Sequence, residues 1–312
     1  MKTLLLIDAN SLVHRSFHAL PPLTSPHGGG PTGALYGISS ILLKLWREER
    51  PDYAAALFDR PEPTFRKEKY LEYKAQRPAA PSELISQIIE AHNIFPAFGI
   101  KTFEKPGFEA DDLIATLAEK FKRENDLQIV ILTGDRDTLQ LVVGDKVVVR
   151  TFKTGVSETV TYDEKAVVGK YGLEPRQLVD YKALIGDPSD NIKGVPGIGP
   201  KTAEEILRRF DTLENAYKNL ASDQKLEKRL GPFQKEAELS KDLVTLERSV
   251  PVDIGSLEEL KIGENSEIGE KTKAYFRKLG FETLIKRLDA PAAESAAQVK
   301  KEKSKGVQGR MF

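Results

Sequence analysis

The stretch "PGFEADDLIATLAEKFKRENDLQIVILTGD" (106–135) decides how the chain is read. Pro106 and Gly107 supply a break, and Ile114, Leu117, Ala118 and Phe121 then recur at helical spacing, which predicts a helix over 109–123. "QIVILTGD" follows as a short apolar run closed at Asp135, the pattern of a strand of a buried parallel sheet. Glu109, Asp111 and Asp112 crowd the start of the helix. Acids in a first turn suit the helix dipole, so this crowding alone fits a plain helix start as well as a site.

Two more strand patterns end at an acid: "TLLLID" at Asp8 and "YAAALFD" at Asp59. Helical patterns lie between them at 33–49 ("GALYGISSILLKLWREE") and 82–92. Strand and helix in alternation predict an α/β layer structure with a mostly parallel sheet. Parallel strands share one C-terminal edge, where open α/β sheets place ligands. Asp8, Asp59 and Asp135 should converge there, with Glu109, Asp111 and Asp112 at the mouth of the adjoining helix. Six carboxylates at one edge repel unless cations hold them, and oxygen-only donors suit Mg²⁺, with Mn²⁺ as a substitute.

Bulk properties set bounds. At 312 residues, 40% hydrophobic and 30% charged, the chain can bury a sizeable core as one large or two smaller domains. The absence of cysteine excludes disulfides and thiolate zinc sites. The opening "MKTLLLIDAN" is too short an apolar run for a signal peptide, and no run is long enough to span a membrane, so the expected location is the cytoplasm. A balance of 47 basic and 47 acidic residues counts mildly against a nucleic-acid binder, although local arrangement outweighs the sum.

Beyond about residue 165 the pattern turns helical. In "GDPSDNIKGVPGIGPKTAEEILRRF" (186–210), Asp187 and Asp190 sit three apart and a glycine-rich turn runs directly into a helix. Gly197 and Gly199 let backbone approach a phosphate at the helix N-terminus, with Lys201 and Thr202 in reach; a tight turn between packed helices is the other reading. In "RPEPTFRKEKYLEYKAQRP" (60–78), Arg60, Arg66, Lys67, Lys69, Lys74 and Arg77 interleave with Phe65, Tyr70 and Tyr73. That mixture suits a single nucleic-acid strand, and equally a solvated helix whose tyrosines touch the core. His14, His18, His27 and His92 read as structural or surface residues. From Ala290 onward the chain is polar, with five basic and two acidic residues, and reads as a disordered tail.

Taken in order, "LLLIDANSLVHRSFHAL", "PTGALYG", "LFD", "FRKEKYLEYKAQRP", "GFEADDLIATLA", "LTGDRDTLQL" and "LIGDPSDNIKGVPGIGPKTA" resemble the structure-specific 5′ nuclease family. That family comprises flap endonucleases, phage 5′ exonucleases and the N-terminal nuclease domain of bacterial DNA polymerase I, and the match is closest to the last. The resemblance covers about residues 1–288. It implies a PIN-like α/β nuclease core over 1–165 with a helical arch near 60–100, a helical domain with a helix-hairpin-helix element over 166–289, and a tail over 290–312. It implies a metal-dependent 5′-3′ exonuclease and 5′ flap endonuclease acting on DNA 5′ ends, nicks and flaps in replication and repair. Asp8, Asp59, Glu109 and Asp111 would centre on one Mg²⁺, with Asp112 nearby, and Asp135, Asp137, Asp187 and Asp190 on a second.

The resemblance also places Lys74 and Arg77 in the gateway, where they would steer the strand and stabilise the phosphate, with Tyr73 as a further match; the basic pattern of 60–78 adds Arg60 and Arg66 as DNA contacts. The turn carrying Gly194, Gly197 and Gly199 resembles the hairpin that grips duplex DNA and in relatives binds K⁺. The final "QGRMF" resembles a sliding-clamp docking peptide, with Gln308 as its polar anchor and Met311 and Phe312 as its hydrophobic pair. A free-standing, monomeric nuclease is the expectation. A PIN-type RNA endonuclease and a non-catalytic DNA-binding scaffold are the rival readings.

Overall fold

The computed structural model describes residues 1–26, 28–155, 158–263 and 265–290. Strand β1 (Lys2–Asp8) passes without a turn into α1 (Ala9–Ala19), because the Asp8 carboxylate caps the helix by accepting from Ser11 N–H at 2.9 Å. Next come α2 (Gly33–Glu48), β2 (Tyr53–Phe58), the short α3 (Phe65–Lys69), α4 (Ser82–Ala97) and β3 (Lys101–Glu104). The decisive stretch forms α5 (Ala110–Phe121) and β4 (Leu127–Leu132), followed by β5 (Val147–Thr154) and β6 (Glu158–Tyr162).

These strands make one six-stranded sheet in the order β3-β2-β1-β4-β5-β6, parallel except for the last pair. Side chains alternate faces along each strand. Leu5, Ile7, Ala54, Ala56, Phe58, Val130 and Leu132 turn to the layer formed by α1, α2 and α4. Leu4, Leu6, Ala55, Leu57, Ile129 and Ile131 turn to α5. Covered on both sides, the strands have no polar face, which is why they read as unbroken apolar runs. The strand order reverses between β1 and β4, so a crevice opens at their C-terminal ends, where Asp8 and Asp135 stand.

A helical layer follows: α6 (Glu164–Tyr171), α7 (Leu178–Ile185), α8 (Pro200–Phe210), α9 (Leu213–Lys218), α10 (Gln224–Leu230) and α11 (Gln234–Val244). Its own core gathers Leu173, Leu184, Val195, Ile198, Ile206, Leu207 and Leu230. One helical domain over 166–289 needs correction, because the chain then returns to the sheet. Leu246, Val250, Ile254 and Leu260 join the α5 face. In α12 (Asn265–Leu279) and α13 (Glu282–Asp289), Phe276, Leu279 and Leu284, with Phe281 between the helices, join the opposite one. The arch expected near 60–100 is also shorter. Leu84, Ala91, Ile94 and Phe95 bury α4 in the sheet layer, which leaves 60–81 as the segment beside the crevice. Among the described residues no helix is long and apolar enough to cross a membrane.

Candidate active site

The crevice is a cavity of about 710 Å³ at the carboxyl edge of the sheet. Its acidic wall carries Asp8, Asp59, Glu109, Asp111 and Asp135, and Lys74 and Arg77 of the segment after α3 line it too. These seven side chains thus line one cavity. Asp8 joins the two central strands: its Oδ2 accepts from Thr133 Oγ1 at 2.6 Å, and the same hydroxyl oxygen accepts from Asp135 N–H at 2.9 Å. Asp59 Oδ1 accepts from Ala110 N–H at 2.7 Å, which ties β2 to the start of α5.

Crowding and burial set the electrostatics. Burial, with the charges of Asp59 and Asp135 adding to it, pushes the Asp8 carboxyl up to about 7. Burial and then Glu109 raise Asp59. Asp111 rises well above the usual carboxylate range through burial and the charges of Asp8, Asp135 and Asp59. Its Oδ1 is buried without a hydrogen-bond partner. A carboxylate oxygen thus stands unpartnered among like charges.

The three acids at the start of α5 have separate tasks. Glu109 accepts from Lys74 Nζ at 2.9 Å and from Tyr73 Oη at 3.0 Å. Asp111 faces the cavity. Asp112 does not: it is 0% exposed and receives both guanidinium N–H groups of Arg66 at 2.7 Å, besides the N–H groups of Glu109 and Glu247. Asp112 is thus corrected from metal ligand to structural anchor, because its oxygens are already filled.

Arg66 is corrected with it. At 1% exposure it cannot reach DNA, and its remaining donors hold the carbonyls of Leu243 and Thr245. Tyr73 is 3% exposed, with its hydroxyl shared between Glu109 and Asp190 at 3.0 Å each, so its ring is not available to a base. Arg60 is partly exposed and paired with Glu62 and Glu104.

The other acids gather beside this wall. Asp135 Oδ1 accepts from Asp137 N–H at 2.9 Å. Lys182 on α7 bridges Asp137 and Asp187. Asp190 receives Arg77 at 2.6 Å, with Lys74 at 3.7 Å. In the hairpin, Gly194 (φ +63°) is pressed on the chain at Gly186, where a Cβ would lie 2.3 Å from the amide nitrogen, so its role is packing. Gly197 and Gly199 face open space at the start of α8. Lys201 is exposed and Thr202 half-buried on its first turn.

The cavity also holds residues that the sequence reading passed over. Asn10, Ser11, His14, Arg15 and His18 of α1 line it, with His14 and His18 exposed at the surface, as expected. Ser11, His14, Arg15 and His18 follow the i, i+3, i+4, i+7 spacing of one helix face, a polar stripe opposite Leu12 and Val13 that was legible in "ANSLVHRSFHAL". His92 instead stacks on Phe58 at 3.8 Å between ring centroids. His27, Gln308, Met311 and Phe312 lie outside the described residues.

Residues 3–172 match the family model for the 5′-3′ exonuclease N-terminal resolvase-like domain, and residues 173–268 match that for the 5′-3′ exonuclease C-terminal SAM fold. The chain is 40% identical over 290 residues to the 5′-3′ exonuclease of Aquifex aeolicus, covering 93% of this chain and 96% of that one. It is 39% identical over 295 residues to DNA polymerase I of Bacillus caldotenax, covering 94% of this chain but 33% of the polymerase, so it spans about a third of that relative's length. The solved bacteriophage T5 flap endonuclease, complexed with DNA and metal ions, superimposes with a TM-score of 0.65 at 21% identity, covering 92% of this chain and 98% of that one; it shares the fold. With both family models matched in sequence order, the chain belongs to the 5′-3′ exonuclease family.

Proposed function

We propose that this chain is a divalent-metal-dependent 5′ nuclease. It would hydrolyse phosphodiester bonds at DNA 5′ ends, nicks and 5′ flaps, as exonuclease and flap endonuclease, in primer and flap removal and in repair. The observation that carries this reading is Asp111 Oδ1, buried and unpartnered in a cavity walled by Asp8, Asp59 and Asp135 and reached by Lys74 and Arg77. The donors are hard oxygens and the chain has no thiol, which fits Mg²⁺ or, in its place, Mn²⁺.

Asp8, Asp59, Glu109 and Asp111 would hold one ion, and Asp135, Asp137, Asp187 and Asp190 a second. When bound, such ions make water nucleophilic at neutral pH, neutralise charge on the phosphate and stabilise the leaving oxygen. The chain's own groups do the rest. Lys74 and Arg77, now paired with Glu109 and Asp190, offer cations to the phosphate of an incoming strand and orient it. Arg15, anchored by Nε–H donation to the Gly155 carbonyl at 2.6 Å, also lines the cavity and would be a further phosphate contact.

Gly197 and Gly199 leave room for duplex phosphates at the amides opening α8, with Lys201 and Thr202 beside them, and the turn would take K⁺. Selectivity then rests on DNA shape and a free 5′ end, since phosphate contacts position a duplex without reading its sequence. The setting we infer is a monomer in the cytoplasm, docked on the sliding clamp through Gln308, Met311 and Phe312.

A labelled 5′ flap, a nicked duplex, a blunt duplex and a structured RNA, each incubated with and without Mg²⁺, test the proposal. Mg²⁺-dependent cleavage of the flap and nick is expected. Cleavage confined to RNA, or DNA binding without cleavage, refutes it.

A further inference from the structure

In the first acidic cluster, among the described residues, Glu109 is the member paired with cations, Lys74 at 2.9 Å and Arg66 at 3.5 Å. Among the described residues, Asp8 and Asp59 accept hydrogen bonds from neutral groups, namely Ser11 N–H, Thr133 Oγ1 and Ala110 N–H, and Asp111 Oδ1 accepts none. At the neighbouring pair a side chain of this protein is already in place. Lys182 Nζ donates to Asp137 Oδ1 and, at 2.6 Å, to Asp187 Oδ2. The lysine is 23% exposed, and its partners are 16% and 10% exposed. Asp187 Oδ1 is held by the N–H and Oγ of Ser189 at 2.9 and 2.6 Å.

We propose that the Lys182 ammonium is a built-in counter-ion of the Asp137–Asp187 pair, so that the second acidic cluster takes up a divalent cation only when Lys182 is displaced. The inference rests on the metal-dependent reading above. Its physical basis is competition for the same oxygens. A cation bound directly to these carboxylates must break two charge-assisted hydrogen bonds, each stronger than a neutral one. No such pair has to be broken at Asp8, Asp59 or Asp111, although Glu109 beside them is held by Lys74. α7 fixes its position: Lys182 precedes Asp187 by five residues, and Gly186 (φ +78°) turns the chain back between them. The expected consequence is ordered loading, with the first cluster filling at low metal concentration and the second at higher concentration.

Calorimetric titration of Mn²⁺ into the full chain without DNA tests this, with circular dichroism to confirm the fold of each variant. The wild type should show a tight and a weak class of site. Lys182→Met should tighten the weak class about tenfold or more, the scale of one lost hydrogen bond to a charged group. Lys182→Gln gives a second neutral replacement should the methionine variant misfold, and Lys182→Arg, which keeps the charge, should stay weak. Asp137→Asn in the Lys182→Met background should remove the gained affinity. An unchanged weak class in both neutral variants, or equal tightening in Lys182→Arg, overturns the counter-ion role while leaving the metal-dependent reading standing. A wild type that takes up no Mn²⁺ overturns both.

Discussion

Arg66 and Asp112 meet as a bidentate pair, Nη1 to Oδ2 and Nη2 to Oδ1 both at 2.7 Å, with the arginine 1% and the aspartate 0% exposed. The pair joins three parts of the chain. Arg66 lies on α3, Asp112 opens the helix that presents Asp111, and both bond the backbone where α11 ends, at Leu243, Thr245 and Glu247. A buried ion pair of this kind adds little over a hydrophobic replacement, but removing one partner strands a charge. Asp112→Asn should therefore cost about 3–5 kcal/mol in urea denaturation. A loss well below 1 kcal/mol would show that the pair is not buried as described.

Asp111→Asn should move stability the other way, although it lies one residue earlier. The native carboxylate is unpartnered and surrounded by Asp8, Asp59 and Asp135, so neutralising it relieves repulsion. In the absence of divalent metal at pH 8, the variant should match or exceed the wild type in urea midpoint, and with Mg²⁺ added it should have lost cleavage of a 5′ flap. A less stable variant, or one that still cleaves, contradicts the site assignment.

The same cluster predicts a pH dependence. Asp8 sits at about 7, above its ordinary value, and Asp59 and Asp111 are raised as well. Between the ordinary carboxylate range and pH 7 the folded protein thus binds more protons than the unfolded chain, so this cluster's contribution to stability falls as pH rises. Measured without metal, the stability of the wild type relative to an Asp8→Asn, Asp111→Asn double variant should drop between pH 5 and pH 8. A constant difference across that window would mean the acids are not buried together.

Lys74→Ala and Arg77→Ala should reduce 5′ flap cleavage by tenfold or more, about 1.4 kcal/mol of transition-state stabilisation each, while duplex affinity changes little. Their present partners, Glu109 and Asp190, belong to the two acidic clusters, so both cations sit where a strand would enter. Gel-shift and single-turnover measurements separate the two effects. Collapse of duplex affinity with normal flap turnover would place the 60–81 segment on the wrong part of the substrate.

Gly194 and Gly199 lie five residues apart in one hairpin and should fail differently. A Cβ at Gly194 meets the Gly186 amide nitrogen, so Gly194→Ala should lower the melting temperature. Gly199 has nothing within 4 Å, so Gly199→Asp should fold normally and lose duplex affinity across sequences, because it adds a negative charge where a phosphate would sit. A normally folded Gly199→Asp that keeps full affinity counts against the hairpin as a DNA grip.

Local pattern was enough for the α/β class. Unbroken apolar runs ending at Asp8, Asp59 and Asp135 mark strands covered on both faces, and parallel strands necessarily bring those acids to one edge. The polar stripe of α1 was equally legible, since it needs only the helical period. The division of labour at "EADD" was not, because neighbouring residues on a helix point in different directions and what each one meets comes from elsewhere in the chain. Asp112 meets Arg66, forty-six residues earlier; Asp111 meets the ends of other strands; Asp137 meets Lys182, forty-five residues later. Charge identity is written in the sequence. Whether a charge is spent on a buried partner or left free for a cation is decided by burial and by distances across the fold, and these exist only once the sheet, α5, α7 and the end of α11 have come together.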